Sequence, residues 1–227
     1  MRALVLADGD PPVRAALDEA WPGWSAGFAH VVAADGGARH AAALGLRIDR
    51  WTGDGDSLGE EGVEALRTAG VDIRRAPVEK DESDTELAVL AAIDAGATDL
   101  TILGALGGPR VDHALANVAL LGLPELDGFA ARLLTADARV TLLCASASGP
   151  PAAIELSGRV GDLVSLLPLG DPALGVTTRG LRYALDDEDL AAGRSRGLSN
   201  ARAEPGALVT LRAGRLLIVE CPATLWR

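Results

Sequence analysis

From the N-terminus to about residue 147, short apolar runs alternate with amphipathic stretches, and a chain patterned in that way has few folds open to it. "ALVLA" (3–7) reads as a strand, and "PPVRAALDEAW" after it as a helix whose first turn takes proline. "HVVAADGGARHAAALGL" repeats the unit as strand, glycine-rich turn and helix. "EEGVEALRTAG" predicts a helix closed by Gly70, and "VDIRRAP" a short strand. "SDTELAVLAAIDAG" predicts a helix opened by Ser83, with Glu86 at capping-box spacing. "DLTILGAL" and "GGPRVDHALANVALLGL" complete the series as strand, turn and helix. Repeated units of this kind predict an α/β fold, a mostly parallel sheet flanked by helices. After "SASGPP" (146–151) the texture changes to short β-rich segments broken by Gly, Pro and Asp, which predicts a C-terminal all-β sandwich or barrel. The expected domains are residues 1–147 and residues 148–227.

Open α/β sheets bind ligands beyond the carboxyl ends of their strands, and acidic residues recur at those places here. Asp35 follows "HVVAA", and Asp54 and Asp56 lie in the next glycine-rich turn. Asp81 and Asp84 precede and open the capped helix, and Asp112 lies in the turn after "TILGAL". Asp54 and Asp56 are alternate residues of an extended segment, so their side chains point the same way. Two charges about 4 Å apart at an effective dielectric near 20 repel by roughly 4 kcal/mol. A cation removes that repulsion, and Mg²⁺ suits a few carboxylates together with water and substrate phosphates. The turns "ADGG" and "GALGG" bring the backbone N–H groups of Gly36, Gly107 and Gly108 to helix starts, where phosphate binds, with Arg110 as a further donor. Lys80, the only lysine, is followed by Asp81, so no Walker A loop is present. Plainer roles exist beside these: Asp35 before two glycines suits an ordinary turn, and Asp84 in a first helical turn is favoured by the helix dipole alone.

"GDSL" (55–58) also spells an esterase signature with Ser57 as nucleophile, but a serine nucleophile needs a base. His113 is the only histidine after Ser57, and "RIDRW" lacks the apolar strand on which a nucleophile elbow is built. Ser57 is therefore expected to hydrogen-bond within its turn. A net charge of −11 argues against nucleic-acid partners and anionic membranes. With no apolar run of membrane-spanning length and an acidic start unlike a secretory signal, a soluble cytoplasmic protein is expected. Cys144 and Cys221 each follow an apolar run with no metal or redox spacing, which predicts buried thiols.

Taken together, "ADGGARHAAALGL", "TGDGDSL", "KDESDTELAVLAA" and "ILGALGGPRVDHALANVALL", followed by "GDLVSLLPL", "GLRYAL" and "GLSNA", resemble the thiamine pyrophosphokinase family in order and spacing over nearly the whole chain. The resemblance implies an N-terminal catalytic domain, a C-terminal thiamine-binding β-sandwich, and a homodimer with thiamine sites between subunits. It implies Mg²⁺-dependent transfer of a pyrophosphoryl group from ATP to the hydroxyethyl oxygen of thiamine, with AMP leaving. By position, Asp54, Asp56 and Asp84 match the catalytic, metal-binding carboxylates. Asp35, Gly36, Lys80, Asp81, Gly107, Gly108, Arg110, Asp112 and His113 match positions around ATP, and Ser199 and Asn200 the pair near the thiamine pyrimidine. The chain departs from the family pattern in Pro109, inserted after the two glycines, and in Ala201, where an acidic residue is common. A pyrophosphokinase acting on another alcohol, such as a hydroxymethylpterin, and a nucleotide-binding regulator without catalysis are the alternatives. Trp51 and Trp226 are candidates to cover the thiazolium, since a cation over an indole face is favourable; a core or surface tryptophan is the plainer role of each.

Overall fold

The apolar runs become strands because burial on both faces removes most of their side-chain surface from water, at about 1.5–3 kcal/mol for each large side chain. In the computed structural model, which describes residues 1–226 and the side chains of residues 1–224, the chain forms two units, Met1–Ala136 and Asp137–Arg227. The first contains β1 (Arg2–Leu6), α1 (Arg14–Ala20), β2 (His30–Ala34), a 3-10 turn (Asp35–Arg39) running into α2 (His40–Leu44), and β3 (Arg50–Gly53). It continues with α3 (Glu60–Thr68), β4 (Asp72–Arg75), α4 (Asp84–Asp94), β5 (Asp99–Leu103), α5 (Val111–Leu120) and β6 (Ala130–Leu134). These six strands pair in parallel in the order β6-β5-β1-β2-β3-β4. From β1 the chain winds outward to β4, then crosses back to place β5 on the other side of β1. The loops after β1 and β5 therefore diverge, and a crevice opens at the carboxyl edge between them.

Leu4, Leu6, Val31, Ala33 and Trp51 share one sheet face and pack with Leu17 of α1, Leu44 of α2 and Val63 of α3. Their neighbours Ala3, Val5 and Val32, also buried, point to the opposite face. There α4 packs across β1 to β3 through Ala88, Val89 and Ala92. Helices thus flank both faces, as the alternation predicts. Two local expectations change. Pro11 and Pro12 precede α1 and its N-cap Val13 instead of occupying the first turn. "RIDRW" does lead into a strand: β3 lacks an apolar run, yet Trp51 and Thr52 are buried between its neighbours.

The second unit contains β7 (Arg139–Ala145), β8 (Ala152–Ser157), β9 (Leu163–Pro168), β10 (Ala173–Arg179), β11 (Glu188–Leu190), β12 (Asn200–Ala201), β13 (Gly206–Leu211) and β14 (Gly214–Cys221). Within it, antiparallel pairing gives the orders β12-β9-β14-β7 and β11-β10-β13-β8. Alternate residues such as Val164 and Leu166, Ala207, Val209 and Leu211, and Leu216 and Ile218 form one core between the two sheets. This is the expected sandwich. The division precedes the expected boundary at 147/148 because β7, which reads in sequence like one more α/β strand, pairs along its whole length with β14, from Arg139↔Glu220 to Ala145↔Gly214. Leu143 joins the sandwich core, so its neighbour Cys144 points to the opposite face and is exposed, and Cys221 is only half-buried, so the expectation of two buried thiols fails. Among the described residues no helix is long and apolar enough to cross a membrane.

Candidate active site

The carboxyl ends of β1, β2, β3 and β5 and the N-termini of α4 and α5 surround a cleft of about 350 Å³ in the first unit. Asp8, Asp35, Asp56, Asp84, Arg110 and His113 are among its lining residues, with Gly107 and Gly108 on one side. Asp35 is 2% exposed and has φ +37°, a left-handed backbone that costs a residue other than glycine on the order of 1 kcal/mol. Three hydrogen bonds hold it there. The N–H groups of Ser57 and Leu58 donate to Asp35 Oδ2 and Oδ1, both at 3.1 Å, and the Trp51 indole donates to the Asp35 carbonyl at 3.0 Å. Trp51 is fully buried with its N–H spent, so it offers no face to a ligand. The side chain of Trp226 lies outside the described residues.

Asp54 accepts from the Asp56 N–H at 3.0 Å and from Lys80 Nζ at 3.1 Å. Asp84 is the first residue of α4, whose cap is the expected one: the Glu86 N–H donates to Ser83 Oγ at 3.1 Å. Carboxylate oxygens of Asp35, Asp54 and Asp84 lie within 4.8 Å of one another. At that separation two full charges repel by roughly 3–4 kcal/mol at an effective dielectric near 20. Lys80 offsets part of this, standing 3.1 Å from both Asp54 and Asp84. Burial opposes the charge of Lys80, but its contacts with the Asp84 and Asp54 carboxylates prevail and raise its pKa. Burial pushes the Asp84 and Asp35 carboxyls up, against the Lys80 contact in one and the two N–H donors in the other. Asp54 is held down, chiefly by the Asp56 N–H. The donor set fits a hard dication: three carboxylates converge, and buried Asp84 Oδ1 forms an ion pair with Lys80 but has no aligned hydrogen-bond donor.

The structure thus joins Asp35 to Asp54 and Asp84 in the cluster, while Asp56 is exposed on the cleft wall and accepts from Ser57 Oγ at 3.1 Å. That contact gives Ser57 the turn role expected of it. Arg110 turns to Asp112 through Nε at 2.9 Å and Nη2 at 2.6 Å, holding the Asp112 carboxyl down to about 2. Asp81 and Asp112 are exposed and do not line the cleft. In the second unit Ser199 is exposed, with φ +58°, and its N–H donates to Ser165 Oγ. The Asn200 amide is buried: Oδ1 accepts from the Tyr183 and Ala201 N–H groups at 2.9 Å, and Nδ2 donates to the Tyr183 carbonyl at 2.7 Å. Its polar atoms serve the main chain, and Tyr183 is left 60% exposed with the Arg182 guanidinium 5.7 Å from its ring centroid.

Three groups escape the sequence reading. Asp8 and Asp10 follow β1 in a second Asp-Gly-Asp, and the rule that picked out Asp35 and Asp54 applies to them equally. The Asp8 carboxylate lies where a Cβ on Gly36 would stand, and Asp10 stands in the same relation to Gly107. Arg39 contacts the Ser57 carbonyl and lies 3.7 Å from Asp8. Arg75 donates to the Asp54 carbonyl at 3.0 Å.

The family model described as thiamin pyrophosphokinase, catalytic domain, matches residues 25–127, and that described as thiamin pyrophosphokinase, vitamin B1 binding domain, matches residues 153–216. The chain belongs to the thiamin pyrophosphokinase family. Thiamine pyrophosphokinase 1 of rice (Oryza sativa subsp. japonica) is 30% identical over 70% of this chain, a match that spans 60% of the rice protein. A thiamin pyrophosphokinase family protein of Enterococcus faecalis superposes with a TM-score of 0.80 at 27% identity, covering 97% of this chain and 99% of that one. The thiamine pyrophosphokinase of Bacillus subtilis shares the fold, with a TM-score of 0.82 at 20% identity over 98% and 99% of the two chains. The hydroxymethylpterin alternative has no support among these relatives.

Proposed function

We propose that the protein transfers a pyrophosphoryl group from ATP to the hydroxyethyl oxygen of thiamine, with Mg²⁺, in the cytoplasm, as a homodimer whose thiamine sites each take residues from both subunits. The observation that carries this is the convergence of Asp35, Asp54 and Asp84 within 4.8 Å beside the cleft of a thiamin pyrophosphokinase family member. The alcohol oxygen bonds to the β-phosphorus, the bond from that phosphorus to the bridging oxygen breaks, AMP departs with that oxygen, and water takes the hydroxyl proton. No covalent intermediate is needed, so the work is positioning and charge neutralisation. Asp35, Asp54 and Asp84 would hold Mg²⁺, which supplies positive charge to the phosphate oxygens. Lys80 keeps Asp54 and Asp84 in place and presents its own charge beside them. The N-terminus of α5, with Arg110 as N-cap, directs N–H groups toward the side of the cleft where phosphates would lie. Asn200 acts through Tyr183, whose exposed ring already stands near one cation, Arg182, and offers an aromatic face for thiamine.

The test is AMP release from ATP and Mg²⁺ by the purified protein, followed with and without thiamine. Thiamine-dependent AMP with thiamine diphosphate as co-product is expected. Formation of ADP instead, or AMP release indifferent to thiamine, would overturn the assignment.

A further inference from the structure

The loops that diverge at the β1/β5 crevice are fastened to each other. The Gly9 N–H donates to the Gly104 carbonyl at 2.7 Å, the Asp10 N–H to the Leu106 carbonyl at 3.3 Å, and the Gly108 N–H to Asp10 Oδ1 at 2.8 Å. Gly107 and Gly108 have φ of +77° and +78°, so the turn they form is open to many conformations unless something selects one. Asp10 does the selecting on both counts. Its carboxylate fills the space a side chain at 107 would need, and it accepts the one N–H that fixes the orientation of the 107–108 peptide. This turn lines the cleft and leads directly into Pro109, Arg110 and α5. Residues 8–10 lie outside the region matched by the family's catalytic description, which begins at residue 25.

We propose that Asp10 is a positioning residue for the nucleotide: by accepting the Gly108 N–H across the crevice it presets the turn and the α5 N-terminus against which the polyphosphate lies. The inference rests on the ATP-dependent reaction proposed above. A competing role, in which Asp10 occupies an anion site and excludes phosphate, is disfavoured because Asp10 does not line the cleft and its Oδ1 is engaged by the Gly108 N–H.

Parent, Asp10→Ala and Asp10→Asn proteins would be compared by amide hydrogen exchange, by calorimetric titration with MgATP, and by steady-state kinetics with thiamine. For Asp10→Ala, faster exchange confined to residues 8–10 and 104–110 and a KM and Kd for MgATP raised by about ten-fold are expected, the size of one charge-assisted hydrogen bond lost. The kcat at saturating MgATP and the KM for thiamine should stay within about two-fold, because Asp10 itself does not line the cleft and bound polyphosphate re-forms the turn. Asp10→Asn keeps an acceptor oxygen and should return MgATP affinity to within about three-fold of the parent. MgATP affinity in Asp10→Ala equal to or tighter than the parent's, unaltered exchange at 104–110, or a loss confined to kcat would each overturn the proposal. The arms also separate it from the reaction on which it rests. A parent that binds MgATP but makes no AMP with thiamine defeats the reaction alone, and the titration still decides Asp10; a parent that binds no MgATP defeats both.

Discussion

Asp35 illustrates how one residue can hold a strained backbone and a costly charge together. Its left-handed φ is stabilised by the same loop, 54–58, whose N–H groups its carboxylate orders, so the residue and the loop fix each other. Ser57 contributes its N–H to this, not its hydroxyl. Ser57→Ala is therefore expected to lose the Asp56 contact alone, about 0.5–1.5 kcal/mol in a denaturant titration, and to keep its thiamine-dependent activity. Esterase activity abolished by that substitution would restore the nucleophile. Asp84 carries a prediction of opposite sign. A carboxyl whose folded pKa is raised favours the native state fully below its unfolded pKa, and the contribution is lost as pH rises through the folded value. With divalent ions chelated, Asp84→Asn should thus melt above the parent near about pH 8, with the advantage shrinking toward about pH 4. Mg²⁺ should raise the melting temperature of the parent and not of the variant. A lower melting temperature for Asp84→Asn near about pH 8 would mean that its pairing with Lys80 outweighs the burial of its charge.

At the level of elements, the start of α4 sets the height of Asp84 in the cluster, and Ser83 sets the start of α4. Ser83→Ala should cost about 1 kcal/mol of stability by chemical denaturation. It should also raise the Mg²⁺ concentration needed for half-maximal activity, since a frayed first turn displaces Asp84; an unchanged Mg²⁺ requirement would place the ligand elsewhere. This cap was legible in the sequence because Ser83 and Glu86 are three residues apart and the physics is local. The strand end that carries Asp35 was legible for a related reason, because apolar periodicity marks β2, whereas β3, which leads to Asp54, lacks an apolar run and is defined only by its pairing with β2 and β4. Asp10 was equally visible as an acidic residue after an apolar run, but its role depends on Gly108, a partner 98 positions away. Asn200 reads as a polar loop residue until Tyr183, 17 positions earlier, is seen to receive both ends of its amide. Likewise β7 has the composition of an α/β strand, and only its pairing with β14 assigns it to the sandwich.

At the scale of the molecule, each unit carries its own core and its own polar centre. In the second unit Glu220, 2% exposed, accepts from Arg139 at 2.6 and 2.7 Å and from the fully buried Arg202 at 2.6 Å, while Arg202 also donates to the Leu156 carbonyl at 2.8 Å. Removing one member would strand charge inside the sandwich, so Glu220→Gln should destabilise by about 3–5 kcal/mol, read by denaturation. Neither unit alone holds both the carboxylate cluster and Tyr183, and a homodimer with shared sites would bring one chain's cluster to the other chain's ring. Asp84→Asn and Tyr183→Ala chains, each nearly inactive alone, then supply complementary halves. Random subunit exchange gives about half heterodimers, each with one site bearing both defects and one assembled from intact halves, so activity should return to roughly a quarter of the parent's. If cluster and ring instead served one site within a single chain, every site in the mixture would keep one defect. Mixing would then restore nothing, and a flat result with subunit exchange confirmed by mass would reject the shared site.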